Sequence, residues 1–178
     1  MKSVLISIRP QWCEKIASGK KTIEVRKTAP KEVPFKAYIY CSYGDMKTNY
    51  YLKGRGKVIG EFICDKVDKY EPQVILCAYY EVNGAYVKEN LRYNSGTCLS
   101  YEDMVNYSNG KTIYGWHITD LKLYDKPKKL DEFNHSCNYA GLCFSCDRAK
   151  FTSKGDRICR AMITRAPQSW QYVEEVKE

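Results

Sequence analysis

Hydrophobic and polar residues alternate over several short stretches of this chain, and this pattern predicts β-strands joined by turns. The predicted strands cover residues 4–8, 21–27, 36–42, 57–67, 85–87 and 112–124. The stretches at 36–42 and 57–67 are placed to pair as an antiparallel hairpin. Short strands outnumber helices, which predicts an α+β domain built on a small β-barrel with helices on its outside.

Residues 21–27 alternate with a period of two, so Ile23 and Val25 face one way while Glu24 and Arg26 share the other face. A lysine held near a carboxylate can carry protons once burial lowers its pKa, and a guanidinium can grip a phosphate or a base edge with two bonds. Alternating charges on a strand are also typical of a face that is simply solvated. The residues alone leave both interpretations open.

Two helices are predicted from their start and stop signals. The first follows Pro10, carries Trp12 and Ile16 at helical spacing and ends at Gly19. The second runs from an N-cap at Ser100, with Asp103 in the place of the usual Glu, to residues 109–110.

Two further stretches are harder to assign from their pattern. The apolar run at 74–80 fits a strand or a helix, and Asn83-Gly84 predicts a hairpin turn into residues 85–87. The stretch 112–124 predicts one long strand, bent near Gly115 and ending before Pro127.

The 178 residues suit one core, and 44% hydrophobic with 28% charged residues is typical of a folded globular protein. No stretch approaches the roughly 20 apolar residues of a membrane span. The apolar run at the N-terminus is too short for a signal peptide, so we expect a cytoplasmic protein. A net charge of +8, with 16 Tyr and 3 Trp, favours a polyanion as partner and supplies flat surfaces for bases.

The run Gly19-Lys20-Lys21-Thr22-Ile23-Glu24-Val25-Arg26, preceded by a strand and a short helix, resembles the opening of ASCH-domain proteins, which belong to the PUA-like superfamily. The segments 114–127 and 165–170 resemble a subgroup common in phage and bacterial genomes. The resemblance implies a PUA-like barrel with RNA-related roles and a cleft lined by the Lys-Glu-Arg face. The ligand-binding residues that we predict are Lys20, Arg26, Gln168, Ser169 and Trp170.

Some proteins that this chain resembles hydrolyse N4-acetylcytidine with a lysine, a threonine and a glutamate. Lys21 matches the lysine, whereas Glu24 stands at the position of the threonine and no residue matches the glutamate. Another branch is thought to cleave RNA. We therefore predict binding of RNA or of a nucleotide, with hydrolysis by Lys21 and Glu24, as an amidohydrolase or a ribonuclease, as the alternative.

Nine cysteines, five of them scattered singly, argue against a disulfide scaffold. The other four crowd together and predict a structural four-sulfur zinc site, because a Cys-x-x-Cys turn brings two thiolates to one ion. Its predicted ligands are Cys137, Cys143, Cys146 and Cys159. His135 can replace Cys137, an iron–sulfur cluster accepts the same four residues, and four reduced thiols without a metal are the alternative.

Trp116, Trp170 and His117 are aromatic candidates for base stacking. Packing is the favoured role for Trp116, and a structural role is the favoured one for His117. The lysines at 126, 128 and 129 form a run of like charges, and we expect their side chains to face solvent. We expect a barrel over residues 1–130 and a Cys-rich extension over residues 131–178 on the same core, with specificity loops in residues 45–110.

Overall fold

In the computed structural model the described residues are 1–43, 54–71, 79–82, 85–88, 96–135, 150–151, 153, 157–158 and 161–175. They form a mainly β structure with two α-helices. The helices are α1 (Pro10–Ala17) and α2 (Tyr101–Ser108). The strands are β1 (Ser3–Ile8), β2 (Ile23–Arg26), β3 (Phe35–Cys41), β4 (Lys57–Cys64), β5 (Val67–Tyr70), β6 (Tyr79–Val82), β7 (Ala85–Lys88), β8 (Ile113–His117), β9 (Thr119–Lys128), β10 (Phe133–Asn134), β11 (Lys150–Phe151), β12 (Arg157–Ile158), β13 (Trp170–Tyr172) and β14 (Glu174–Glu175).

Two sheets make up most of the fold. The larger has the strand order β13-β1-β3-β4-β9, in which β1 and β3 are parallel and the other neighbours are antiparallel. The smaller has the order β2-β8-β5 and is antiparallel throughout. The prediction that short strands outnumber helices is confirmed. Within the described ranges the two sheets are separate, so the predicted closed barrel is not observed.

The two faces of the larger sheet are both covered. One face joins α1 and β8 in the main core, whose members include Val4, Ile6, Ile8, Ile16, Ile39, Phe62 and Trp116. The opposite face carries Leu5, Tyr38, Tyr40 and Val58, and these pack against Phe133, Ile163 and Val173 from the C-terminal part of the chain. Because neighbouring residues of a strand point to opposite faces, burial on both sides explains why β1 and β3 read as nearly continuous apolar runs.

The stretch 112–124 is divided into two strands of different sheets, so the prediction of one long strand ending before Pro127 is wrong. β8 pairs with β2 and β5, and after Ile118 the chain crosses to pair β9 with β4. Asp120 has a positive φ of 48° at this crossing. β9 continues past Pro127 because it lies at the edge of the larger sheet, and an edge strand tolerates a residue without a backbone N–H.

The predicted helices are confirmed, and so is the pairing of the two strands on either side of residues 83–84. α1 begins with Pro10, whose fixed φ suits the first helical position. In α2 the side chain of Ser100 accepts from Asp103 N, and Asp103 accepts from Ser100 N, which completes the predicted capping box. Neither described helix is long and apolar enough to cross a membrane.

Candidate functional site

A cavity of about 910 Å³ lies where β1 and β3 end and β2 passes beside them. Arg26 on β2 donates to Ser7 O on β1 at 2.6 Å, and this bond ties the two sheets together at the cavity. The lining residues are Ser7, Arg9, Trp12, Lys21, Glu24, Val25, Arg26, Lys27, Thr28, Tyr40, Ser42, Tyr43, Leu99, Asp103, Tyr107, Ala166, Pro167, Gln168 and Ser169.

Lys21, Glu24 and Arg26 form a continuous row of charges in the cavity wall. Lys21 Nζ lies 3.5 Å from Glu24 Oε2, and Arg26 Nη2 lies 3.0 Å from Glu24 Oε1. Lys21 is 3% exposed and Glu24 is 5% exposed. The polar face of β2 is therefore buried along the cavity, and the interpretation of that face as solvated is wrong.

Burial lowers the pKa of Lys21, and the nearby carboxylate of Glu24 opposes this shift. The side chain also donates to Thr97 O at 2.5 Å. An amine with a lowered pKa releases its proton more readily than an exposed lysine does. Lys21 can therefore hold an anionic ligand while it is protonated, and it gives up its proton more readily than a surface lysine does.

The segment around residues 96–99 holds Lys21 in place. Gly96 O accepts from Thr22 N and from Ile23 N, both at 2.8 Å. Gly96 has a φ of +99°, and a Cβ there would collide with Thr22 Oγ1, so only glycine suits this position. The contact joins residues more than 70 positions apart, and the sequence pattern gave no signal for it.

Aromatic side chains surround the charged row. The Trp12 ring centroid lies 5.2 Å from Lys21 Nζ and 4.6 Å from Lys15 Nζ, and the Tyr107 ring centroid lies 5.2 Å from Lys27 Nζ. These distances fit cation–π contacts. Neither aromatic was among the predicted site residues, although the helical spacing of Trp12 places it on α1 directly before the Gly19 run.

Residues 166–169 also line the cavity. Ser7 Oγ donates to Pro167 O at 2.6 Å, and Ser7 N donates to Ser169 O at 2.9 Å. Gln168 and Ser169 therefore line the same cavity as Lys21, Glu24 and Arg26, as does Arg9, which was not predicted. Five of the predicted site residues thus lie together.

Lys20 and Trp170 lie outside the lining of the cavity. Lys20 is exposed, and its carbonyl accepts from Cys98 Sγ at 3.3 Å. Trp170 donates from Nε1 to Thr28 Oγ1 at 2.9 Å, and its ring packs edge-on against Trp116, with centroids 5.6 Å apart. Trp170 thus supports the residues next to the cavity.

Trp116 and His117 have structural surroundings. Trp116 is fully buried in the main core, which confirms its packing role. His117 Nε2 lies 2.6 Å from Asp68 Oδ2, and the pair spans β8 and β5 away from the cavity lining. This geometry agrees with the structural role that we favoured for His117.

The predicted metal ligands Cys137, Cys143, Cys146 and Cys159 lie outside the described residues. Inside the described ranges, no group of three His, Cys, Asp or Glu side chains is placed to hold a metal ion. His135 and Ala161 flank residues 136–160, of which only 150–151, 153 and 157–158 are described, and His135 N donates to Ala161 O at 2.6 Å. The two ends of the Cys-rich segment therefore meet.

No protein-family model matches the chain, and no curated protein matches it. The solved structures that match it include three crystal structures from Zymomonas mobilis. A serine-to-alanine mutant of ZmASCH has a TM-score of 0.59 and 18% identity, covering 97% of this chain and 89% of that chain. A tyrosine-to-phenylalanine mutant of ZmASCH has a TM-score of 0.52, 20% identity and coverage of 74% and 78%. A structure of ASCH from the same organism has a TM-score of 0.51 and 21% identity, covering 73% of this chain and 75% of that chain. The chain therefore has the ASCH fold.

Proposed function

We propose that this protein binds RNA or a nucleotide in the cavity that is lined by residues of β2 and by residues 166–169. The observation that carries the proposal is the buried row of Lys21, Glu24 and Arg26 in the wall of a cavity of about 910 Å³. Cavities of this size hold small ligands and are lined by a few placed polar groups among apolar ones. The resemblance of the sequence to ASCH-domain proteins implies the same class of ligand.

The lining supports a nucleotide over a purely apolar ligand. Four cationic residues, Arg9, Lys21, Arg26 and Lys27, face two acidic ones, Glu24 and Asp103. Asp103 is already engaged in the cap of α2. The excess of positive charge favours an anionic ligand, and the rings of Trp12 and Tyr107 supply surfaces on which a base can stack.

Arg26→Gln tests this site against a matched variant. Lys31→Gln removes the same charge from an exposed residue that does not line the cavity. For a short single-stranded RNA and for nucleoside monophosphates, we expect Arg26→Gln to weaken binding by about tenfold or more, because a charged hydrogen bond is lost. Lys31→Gln should change affinity only slightly. Fluorescence anisotropy measures both, and equal losses, or no binding by the unaltered protein, would overturn the proposal.

The alternative function is hydrolysis of a nucleic acid or of an acylated nucleoside. It is favoured by the lowered pKa of Lys21 and by the carboxylate of Glu24 at 3.5 Å, since such a pair can transfer protons. We then expect Lys21→Ala to abolish turnover of N4-acetylcytidine or of an RNA oligonucleotide. If the unaltered protein binds these compounds but turns over neither, the alternative fails and the binding function stands.

We also propose that Cys137, Cys143, Cys146 and Cys159 bind a structural zinc ion. The Cys-x-x-Cys spacing supports this, and so does the contact between His135 and Ala161, because it brings together the ends of the segment that carries the cysteines. Reduced thiolates of this kind fit the expected cytoplasmic location. Native and denaturing mass spectra of the purified protein should differ by one zinc ion, and equal masses would exclude the site.

A further inference from the structure

Cys13 on α1 and Cys41 at the end of β3 have thiols that lie next to each other. Ile8 and Cys41 are partners in the parallel pair of β1 and β3, and all three residues belong to the main core. Cys13 Sγ donates to Ile8 O at 3.6 Å. Since paired strands lie only about 4.8 Å apart, this contact brings the Cys13 sulfur to the place where Cys41 lies. The Cys13 thiol also forms a hydrogen bond with the sulfur of Cys41.

The surroundings of the two thiols differ, and this difference gives each of them a role. The hydrogen bond from the Cys13 thiol lowers the pKa of Cys41, burial opposes this shift, and the positive charge of Arg55 adds to it. The same hydrogen bond and burial raise the pKa of Cys13. The thiolate is the form of cysteine that attacks an oxidant. Cys41 is therefore the sulfur that reacts first, and Cys13 is the neighbour that can close a disulfide.

Both cysteines are buried, with Cys13 1% exposed and Cys41 fully enclosed, so an oxidant reaches them only when the structure opens locally. Such an opening costs less free energy than global unfolding, and α1, which carries Cys13, has only eight residues. The cavity lies close by, because Trp12 precedes Cys13, Tyr40 and Ser42 flank Cys41, and all three of these neighbours line the cavity. A small oxidant such as hydrogen peroxide can enter a cavity of this size.

We propose that Cys13 and Cys41 form a reversible disulfide when the protein is exposed to hydrogen peroxide. The Cys41 thiolate attacks one peroxide oxygen, the O–O bond breaks, and Cys41 becomes a sulfenic acid while hydroxide leaves. Cys13 Sγ then attacks Cys41 Sγ, the S–O bond breaks, and the thiol proton of Cys13 leaves with the oxygen as water. Two electrons pass from the sulfurs to the peroxide. Two molecules of a small thiol return both cysteines to the reduced form and become a disulfide themselves.

The disulfide goes beyond the proposed function and does not depend on which ligand the cavity holds. It would link α1 to β3 covalently, and these elements carry Trp12 and Tyr40, which line the cavity. Disulfides that form in a reducing compartment are usually transient and serve to sense oxidants. The pair therefore places a peroxide-sensitive modification site directly behind the cavity lining.

Peptide mapping of the unaltered protein tests the proposal. The folded protein is treated with hydrogen peroxide, its remaining thiols are alkylated in acid-quenched, unfolded samples, and it is digested with trypsin without a reducing agent. Trypsin releases Cys13 in residues 3–15, because the bond before Pro10 resists cleavage, and Cys41 in residues 37–47. We expect these two peptides to be joined, with a mass two hydrogens below their sum, and to separate on treatment with dithiothreitol. Two separate, alkylated peptides after peroxide would overturn the proposal.

Two variants and one change of conditions serve as controls. Cys13→Ser should yield no joined peptide and should leave Cys41 as a sulfenic acid that dimedone traps. Cys64→Ser alters a buried cysteine whose thiol donates to Lys66 O, and the joined peptide should form in it as in the unaltered protein. In urea, Cys13 should pair with several of the other cysteines. If the folded protein joins Cys13 to Cys41 no more often than the unfolded chain does, the fold does not select this pair and the proposal fails.

Discussion

Lys21 is the residue in which burial and charge compete most directly. Its surroundings lower its pKa from the ordinary 10.5, and desolvation is the largest cause. Between the lowered pKa and 10.5, the unfolded chain holds a proton that the folded protein lacks. The free energy of unfolding should therefore rise with pH across this window.

Lys21→Met removes the group that titrates, so the rise in unfolding free energy with pH should be smaller in this variant than in the unaltered protein. Urea denaturation at a series of pH values from neutral to 10.5 measures both slopes. Comparing the two proteins cancels the lysines and tyrosines that they share. Identical slopes would mean that Lys21 titrates as an exposed lysine does.

At the scale of the elements, α2 depends on its first turn. Ser100 Oγ accepts from Asp103 N at 3.0 Å, and Asp103 Oδ2 accepts from Ser100 N at 3.0 Å. The helix has only eight residues, so its own hydrogen bonds stabilise it weakly. It also carries Tyr107 to the cavity wall.

Ser100→Ala should lower the free energy of unfolding by about 1 kcal/mol, because the cap is lost. The hydrogen bonds from Ser100 lower the pKa of Asp103, so this difference should shrink as pH falls through the lowered pKa and the carboxyl takes up a proton. Asn106→Ala, an exposed change in the same helix, should stay within about 0.5 kcal/mol. If the free energy of unfolding falls equally in both variants at neutral pH, the capping hydrogen bonds of Ser100 do not stabilise the protein.

The elements also show what the sequence could predict. The cap of α2 and the alternation in β2 are local patterns, and both predicted the right element. The division between β8 and β9 depends on which sheet each strand joins, and no local pattern encodes that choice. The alternation likewise predicted that Glu24 and Arg26 share one face of β2. Thr97 and Tyr107 reach these charges from distant segments, so no local pattern indicated them.

At the scale of the whole molecule, the C-terminal part of the chain completes both the core and the cavity. Ile163 is 1% exposed and packs with Leu5 and Tyr40 on the outer face of the larger sheet. Residues 166–169, which line the cavity, follow directly. Stability and ligand binding are therefore linked through this segment.

Ile163→Ala should lower the free energy of unfolding by about 2–5 kcal/mol, because it leaves a cavity in the core, and Ile163→Val should lower it by about 0.5–1.5 kcal/mol. Thermal or urea denaturation separates the two. The alanine variant should also bind nucleotide more weakly, because residues 166–169, which line the cavity, are held less firmly when Ile163 no longer packs on the sheet. A loss of less than about 0.5 kcal/mol in Ile163→Ala would show that the segment rests loosely on the sheet.

The hydrogen bond from His135 N to Ala161 O brings together the two ends of the segment 136–160. A much shorter connection can therefore join these ends without stretching the chain. A two-residue turn can join neighbouring antiparallel strands. A shortened chain with such a turn in place of residues 136–160 should therefore still form the two main sheets, although it lacks the four cysteines that we propose to bind zinc. The same junction would accept a foreign domain, such as a fluorescent reporter, at little entropic cost.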